Sequence, residues 1–309
     1  DQIIIGAGAR QIIFNAIMST VAEGDEVIIP SPYWVSYLDQ TLVAEGTPVE
    51  LACPQNNGFK LRPEELEAAI TPRTKWVVLN NPGNPAGAVY TKAELAAISA
   101  VLMRHPNVWL LSDDIYEHLI YDGRPFFTAV EVEPRLYDRT LTVNGVSKAY
   151  AMTGWRIGYA GGPAPLIKQM LTMQSQATSG ASSISQAAAI EALNGPQDFI
   201  AERQKIMQAR RDMIVDLLDR APGLACTKPE GSMYVFCSCA GVIGKQTPKG
   251  QVIETDRDFA LYLLDAVDVA VIQGDVYGLS PYFRVSFATE TELLRTAGLR
   301  IQAACAALR

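Results

Sequence analysis

Val143-Asn-Gly-Val-Ser-Lys-Ala-Tyr-Ala-Met-Thr-Gly-Trp-Arg-Ile-Gly-Tyr159 joins two short apolar runs, Thr140–Val143 and Arg156–Ala160, by a loop of small residues that carries Lys148. Each run reads as a strand, so the loop sits at a strand end, where α/β sheets present their ligand-binding groups. Lysine is normally a solvated point charge, yet Lys148 stands among small and apolar neighbours. An amine in such surroundings can act as a nucleophile toward carbonyls. Arg156 further along cannot deprotonate and suits a phosphate. An amine able to form a Schiff base, close to a phosphate-gripping arginine, is what pyridoxal phosphate needs from a protein.

Outward from this stretch, apolar runs alternate with helical patterns through the first two-thirds of the chain. Ile3–Ile5, Glu26–Ile29, Thr47–Ala52, Lys75–Leu79 and Val108–Leu111 join the two runs above as strands. Helices are predicted over Ala9–Val21, from near Tyr33 to about Leu42, from Pro63, and from Lys92 to Met103; proline favours the first helical turn. Continuous Val/Ile/Leu strands separated by helices predict a mostly parallel, seven-stranded sheet sandwiched by helices. After Gly162 the pattern changes. Leu166–Gln176, Ile184–Leu193 and Asp198–Arg220 read as helices. Strands are then predicted at Met233–Cys237, Val269–Ile272 and Tyr282–Phe287, with helices near Arg257–Ala266 and from Glu290. Residues 1–195 are therefore predicted as a large α/β domain, and residues 196–309 as a smaller α+β domain.

The chain has 309 residues, 49% of them hydrophobic, ample for a large core. A net charge of −7 without a basic run disfavours nucleic acid and anionic membranes as partners. No apolar stretch is long enough to span a bilayer. Cys53, Cys226, Cys237, Cys239 and Cys305 are scattered and read as reduced thiols of a cytoplasmic protein. With only His105 and His118 beside them, no metal site is expected. The chain opens on Asp1 and runs at once into strand-like residues, predicting that further residues precede it.

Five more places in the chain carry candidate chemistry. Ile5-Gly-Ala-Gly-Ala-Arg10 joins a strand to a helix, and its glycines let backbone N–H groups approach an anion. Gln11 stands where a dinucleotide fingerprint requires its third glycine, so a single phosphate is favoured, although an ordinary tight turn fits equally well. Trp34 offers a flat face for an aromatic ligand, or else simply packs in the core. Asn80-Asn-Pro-Gly-Asn-Pro-Ala-Gly87 makes a rigid loop in which Asn84 can donate to a phenolate oxygen, or is a plain turn. In Leu110-Leu-Ser-Asp-Asp-Ile-Tyr116, an inward-facing Asp113 needs a positive partner, which a protonated pyridine nitrogen supplies. A cap on the following turn is the alternative for Asp113. Asp114 should point the other way in an extended segment. Arg284, inside the apolar Phe283–Ala288 run, must meet an anion: a substrate carboxylate, or a protein acid.

Taken together, these residues resemble the class I, fold-type-I aminotransferases that use pyridoxal phosphate, and most of all their bacterial aspartate and aromatic subgroup. Gly145–Gly158 is similar to the class signature position by position. Asn80–Gly87 resembles the family's Asn-x-Pro-x-Asn-Pro-Thr-Gly loop, with Ala86 in place of threonine. Asp113 and Tyr116 match its Asp-Glu-Ile-Tyr box, with Asp114 at the glutamate position. The resemblance implies transfer of an amino group from an L-amino acid, aspartate or aromatic, to a 2-oxo acid such as 2-oxoglutarate by a ping-pong route. Lys148 is then the catalytic residue that carries the cofactor and moves the substrate proton. Asp113 pairs with the pyridine nitrogen. Asn84 and Tyr116 hold the ring oxygen, and Trp34 stacks on the ring. Gly8, Ala9, Arg10, Ser147 and Arg156 line the phosphate. Arg284 takes the substrate α-carboxylate, with Asn84 and Trp34 beside it. The resemblance further implies a homodimer with composite sites, Gln174–Ser183 approaching the neighbouring site, and about eighty to a hundred preceding residues that complete the small domain. Gln273 and Tyr277 depart from the family's usual proline and phenylalanine. A lyase or decarboxylase of the same fold, and a non-catalytic cofactor-binding module, are the rival readings.

Overall fold

The computed structural model describes residues 1–309. Seven strands form the main sheet: β1 (Ile3–Gly6), β2 (Glu26–Ser31), β3 (Thr47–Ala52), β4 (Thr74–Asn80), β5 (Trp109–Asp113), β6 (Thr140–Gly145) and β7 (Gly158–Gly161). Their order is β1-β7-β6-β5-β4-β2-β3, which puts β5 in the middle. All neighbours run parallel except around β7, which is antiparallel to both β1 and β6. The mostly parallel sheet predicted from the alternation is the one observed.

Helices cover the two faces. α1 (Ala9–Thr20), α2 (Ser36–Val43) and α6 (Ala164–Ala177) pack on one side, in a core holding Ile12, Ile13, Val27, Leu111, Val143 and Leu166. α3 (Pro63–Ala69), α4 (Lys92–Arg104) and the short α5 (Ala129–Val132) pack on the other, around Ile28, Leu66, Val77, Leu79, Ile98 and Leu110. Alternate residues of β2 and β4 thus enter opposite cores, and for this reason their central runs, Val27–Ile29 and Trp76–Leu79, lack polar positions. Local chemistry sets the helix starts. Pro63 opens α3, and Thr91 and Glu94 form a reciprocal capping box at α4.

Beyond α7 (Ser183–Asn194) comes α8 (Asp198–Asp219). A second sheet follows, built from β8 (Ala225–Cys226), β9 (Tyr234–Ser238), β10 (Ile272–Gln273) and β11 (Tyr282–Ser286) in the antiparallel order β10-β11-β9-β8. α8, α9 (Asp256–Val267) and α10 (Thr291–Ala306) share with it a core containing Leu218, Val235, Phe259, Phe283 and Ile301. No helix is long and apolar enough to cross a membrane.

Three boundaries differ from the sequence reading. The helix expected near Tyr33 begins at Ser36, after Tyr33 has bonded through its N–H to the Tyr277 carbonyl, 3.0 Å away. The strand expected over Arg156–Ala160 begins only at Gly158. Arg156 ends a single helical turn, Thr153–Trp155, in the left-handed conformation with φ 54°, which an extended strand cannot contain. The strand expected over Val269–Ile272 shrinks to Ile272–Gln273: Asp268 closes α9 in a left-handed conformation, and the Val269 N–H still bonds back to Leu263.

The antiparallel β7 presses against the start of α1. A Cβ on Gly158 would overlap the backbone of Gly8 and Ala9, which cannot withdraw as a flexible side chain would. We expect Gly158→Ala to destabilise the protein by about 1–3 kcal/mol, read as a lower urea midpoint at unchanged m-value. An unchanged midpoint would show that the seam between β7 and α1 yields freely.

Candidate active site

Strand ends of the main sheet and one strand of the second sheet surround a cavity of about 330 Å³. β5 delivers Asp113 and the turn after it Ile115 and Tyr116; the loop after β6 delivers Ser147 and Lys148. α1 delivers Ala9 and Arg10 at its start, and the β2–α2 connection delivers Trp34. β4 and its loop supply Asn80 and Asn84, and β9 and β11 supply Tyr234 and Arg284. The residues singled out from the sequence thus converge, Arg156 included. Gly8 is the exception in not lining the wall. It caps α1 at φ 92° from behind, and any side chain there would strike the Arg156 guanidinium.

Asp113 is 4% exposed, at the carboxyl end of the central strand. The Tyr37 hydroxyl donates to its Oδ2 at 2.6 Å, and the Ile115 N–H donates to its Oδ1 at 3.3 Å. Burial pushes its carboxyl up to about 6, against the opposing pull of Tyr37, Ile115 and the Lys148 charge. Asp114, also buried, faces away from the cavity and accepts from the Ser112 hydroxyl at 2.8 Å. Burial pushes it up to about 7, with repulsion from Asp113 adding to the effect. Burial also raises Tyr37 and Tyr116 well above the ordinary phenol range, so both hydroxyls stay protonated donors. The Lys148 ammonium lies over the Tyr116 ring, 5.5 Å from its centroid.

At the far wall, Arg284 is held by neutral groups rather than by a carboxylate. Its Nη1 donates to Asn84 Oδ1 at 3.0 Å, and its guanidinium lies over Tyr234 at 4.2 Å and Tyr277 at 5.0 Å. Since the Asn84 carbonyl is engaged there, its amide N–H groups remain to serve the cavity. Near the α1 N-terminus, Arg156 donates to the Thr153 carbonyl at 3.0 Å and the Ala7 carbonyl at 3.3 Å. The start of α1 has no side-chain cap, which leaves its positive pole open to an anion. The Arg10 guanidinium covers Trp34 at 4.9 Å. Four cationic side chains therefore face one carboxylate around the cavity: Arg10, Lys148, Arg156 and Arg284 against Asp113.

Sequence reading missed Tyr37, Asn80, Ile115, Thr153 and Tyr234. Tyr37 had a usable signal, lying three residues after Trp34 at a helix start and so on the same face. Asn80 secures the loop by accepting the Asn84 N–H at 2.8 Å and donating to the Asp113 carbonyl at 2.9 Å. Tyr234 meets Arg284 only because β9 pairs with β11, and nothing local in the sequence encodes that register.

The sequence model of the aminotransferase class I and II family matches residues 1–301. The chain is 58% identical over 305 residues to an aspartate aminotransferase of Rhizobium meliloti, covering 99% of this chain and 74% of that protein. It is 57% identical to an aspartate/prephenate aminotransferase of Cereibacter sphaeroides, covering 99% of this chain and 77% of that one. The crystal structure of the Rhizobium meliloti aspartate aminotransferase superposes with a TM-score of 0.97 at 58% identity, over 100% of this chain and 77% of the other. A Thermus thermophilus aspartate aminotransferase solved with maleate superposes at 0.89 with 38% identity, over 98% and 76%.

Tyr37 bonds to the charged form of Asp113, so Tyr37→Phe should raise the carboxyl of the ligand-free protein by about one to two units above its present position. Carbon-detected NMR of the Asp113 carboxyl measures this; a downward move would contradict the assigned bond. Asp113 and Asp114 both titrate higher in the folded state than the usual value near 4. Their contribution to stability is therefore complete below about pH 4 and is lost as the pH rises through 6 and 7. Asp114→Asn should flatten that loss in urea titrations run across the same window.

Proposed function

The chain belongs to the class I and II aminotransferases, and on that footing we propose that it transfers the amino group of aspartate to 2-oxoglutarate with pyridoxal phosphate held in the 330 Å³ cavity. The observation that carries this reading is the convergence of Lys148, Asp113 and Arg156 on one cavity from three separate strand ends. The residues fit the cofactor on physical grounds. The buried Asp113 makes no ion pair within the protein, feeling Lys148 only as a nearby charge, and suits a protonated ring nitrogen. The uncapped start of α1, with Ala9, Arg10, Ser147 and Arg156 around it, suits a phosphate, and the glycine at position 8 leaves Arg156 the space it occupies.

When bound, pyridoxal phosphate supplies an aldehyde that condenses with amines and a ring that accepts the electron pair released at the substrate α-carbon. Lys148 Nζ is the residue we assign to carry the cofactor and then to take the α-proton and return it. Asp113 would counter the charge of the ring nitrogen, with Tyr37 holding that carboxylate in place. Tyr116 and Asn84 would donate to the ring oxygen, and Trp34 would provide a stacking face. Arg284, steadied by Asn84, Tyr234 and Tyr277, is oriented to receive the α-carboxylate. The excess of cationic over anionic side chains suits a substrate with a second carboxylate, as in aspartate and 2-oxoglutarate. Residues 1–195 form the cofactor-binding unit in this reading, and residues 196–309 the unit that brings Arg284 to the substrate, in a cytoplasmic enzyme.

A second copy of the chain is the partner we infer. α7 turns Ile184 and Ile190 outward at 74% and 60% exposure, and an exposed apolar face of this kind is characteristic of an interface.

Two experiments test these assignments. The cofactor-loaded protein should show a near-visible absorption band that shifts on adding aspartate, and should form glutamate from aspartate and 2-oxoglutarate. Lys148→Ala should lose the band and at least about 10³-fold of the rate, whereas Arg284→Ala should keep the band and raise KM for every amino donor by about 10- to 100-fold. A Lys148→Ala protein that retains the band, or ammonia release without glutamate, would refute the reading. Ile184→Asp with Ile190→Asp should halve the mass measured by sedimentation equilibrium; an already monomeric parent protein would exclude the dimer.

A further inference from the structure

Cys226 and Cys237 do not line the cavity above, and neither is used by its chemistry. They stand directly opposite one another on the antiparallel strands β8 and β9. Antiparallel partners come in two kinds, and only in the pair without mutual backbone hydrogen bonds do the Cα atoms approach to about 4.5 Å. The backbone identifies the kind present. The Cys226 N–H is committed to Asp219 Oδ1 at 2.7 Å. The Cys226 N–H would be needed across the strands if Cys226 and Cys237 were the hydrogen-bonded pair. They therefore form the closer kind, whose side chains leave the same face of the sheet within the range a disulfide spans. Both thiols border the same core, Cys237 fully inside it and Cys226 partly buried at its edge; the Cys237 thiol donates to the Ser238 carbonyl at 3.6 Å, and Cys226 is close enough to help raise its titration. Since β8 is the edge strand of its sheet, Cys226 is the sulfur a reagent from solvent meets first.

We propose that Cys226 and Cys237 form a reversible disulfide site, closed by exchange with a small-molecule disulfide. The Cys226 sulfur, as thiolate, attacks one sulfur of the reagent; that S–S bond breaks, and the first half leaves as a thiolate. The Cys237 thiol then gives up its proton to the released thiolate and attacks the Cys226 sulfur, expelling the second half. Two protein thiols are oxidised and one reagent disulfide is reduced to two thiols, so electrons and protons balance. The product ties β8 and the end of α8 to β9, the strand that carries Tyr234 into the cavity. Burial holds the Cys237 thiol well above its usual titration range, so the second step is the slow one.

The cofactor-loaded protein, incubated with oxidised glutathione, tests the site. Cleavage after Glu230 puts the two cysteines on separate peptides. These should stay joined under non-reducing conditions, with the loss of two titratable thiols, and should part with dithiothreitol. Cys226→Ser should leave Cys237 a free thiol under the same treatment, and the oxidised parent protein should melt no lower than the reduced one. Glutathione retained on Cys226 with Cys237 still free, joining of a different pair, or a lowered melting temperature would each overturn the proposal.

Discussion

The hydrogen bond from Tyr37 to Asp113 is the interaction on which the rest of the site turns. A carboxylate at the end of the central strand, almost wholly removed from water, is an expensive group to place. Burial alone moves it toward the neutral acid, and a neutral acid could not counter a cationic ring. The Tyr37 hydroxyl, the Ile115 N–H and the charge on Lys148 all favour the ionised form, and together they stop the shift near 6. Asp113 is thereby kept mostly ionised at neutral pH and ready to counter a cation that arrives beside it. Asp114, one position on, shows the contrast. It is equally buried, but it has no cationic charge to draw on and is repelled by Asp113 and Glu117, and it rises further.

The second constraint is the direction of β7. Because that strand runs against its neighbours, its first residue lies under the start of α1, and the preceding turn carries Arg156 to the same place. An anion site is thus assembled from the first and second halves of the large sheet. Gly8 and Gly158 are required for the same reason: each stands where another chain segment occupies the volume a side chain would need.

This division explains what the sequence disclosed. Lys148, Asp113 and Arg156 were legible because each is chemically out of place in its own stretch: an amine among small residues, a carboxylate at the end of an apolar run, a guanidinium beside glycines. The sheet was legible because its strands face two cores and so read as unbroken apolar runs. Tyr234 was not, since a tyrosine beside apolar residues is unremarkable until its partner arrives from elsewhere in the chain, and Tyr37 was legible only through its spacing from Trp34. The strand predicted from Arg156 failed for a related reason. Periodicity registers apolar content but not the left-handed turn at Arg156 that aims its side chain.

Arg284 shows how the two sheets depend on each other. It belongs to the second sheet, yet its hydrogen bond goes to Asn84 in a loop of the first, and it rests on Tyr234 of the neighbouring strand. A guanidinium held by an amide and two aromatic faces is oriented without being neutralised. An arriving carboxylate therefore meets a cation whose position is already fixed, and little side-chain entropy remains to be lost on binding. A carboxylate partner within the protein would have fixed Arg284 just as firmly, but a substrate would then have to displace it. The neutral support is what leaves the charge available, and it works only while the Asn84 loop and β11 keep their relative positions.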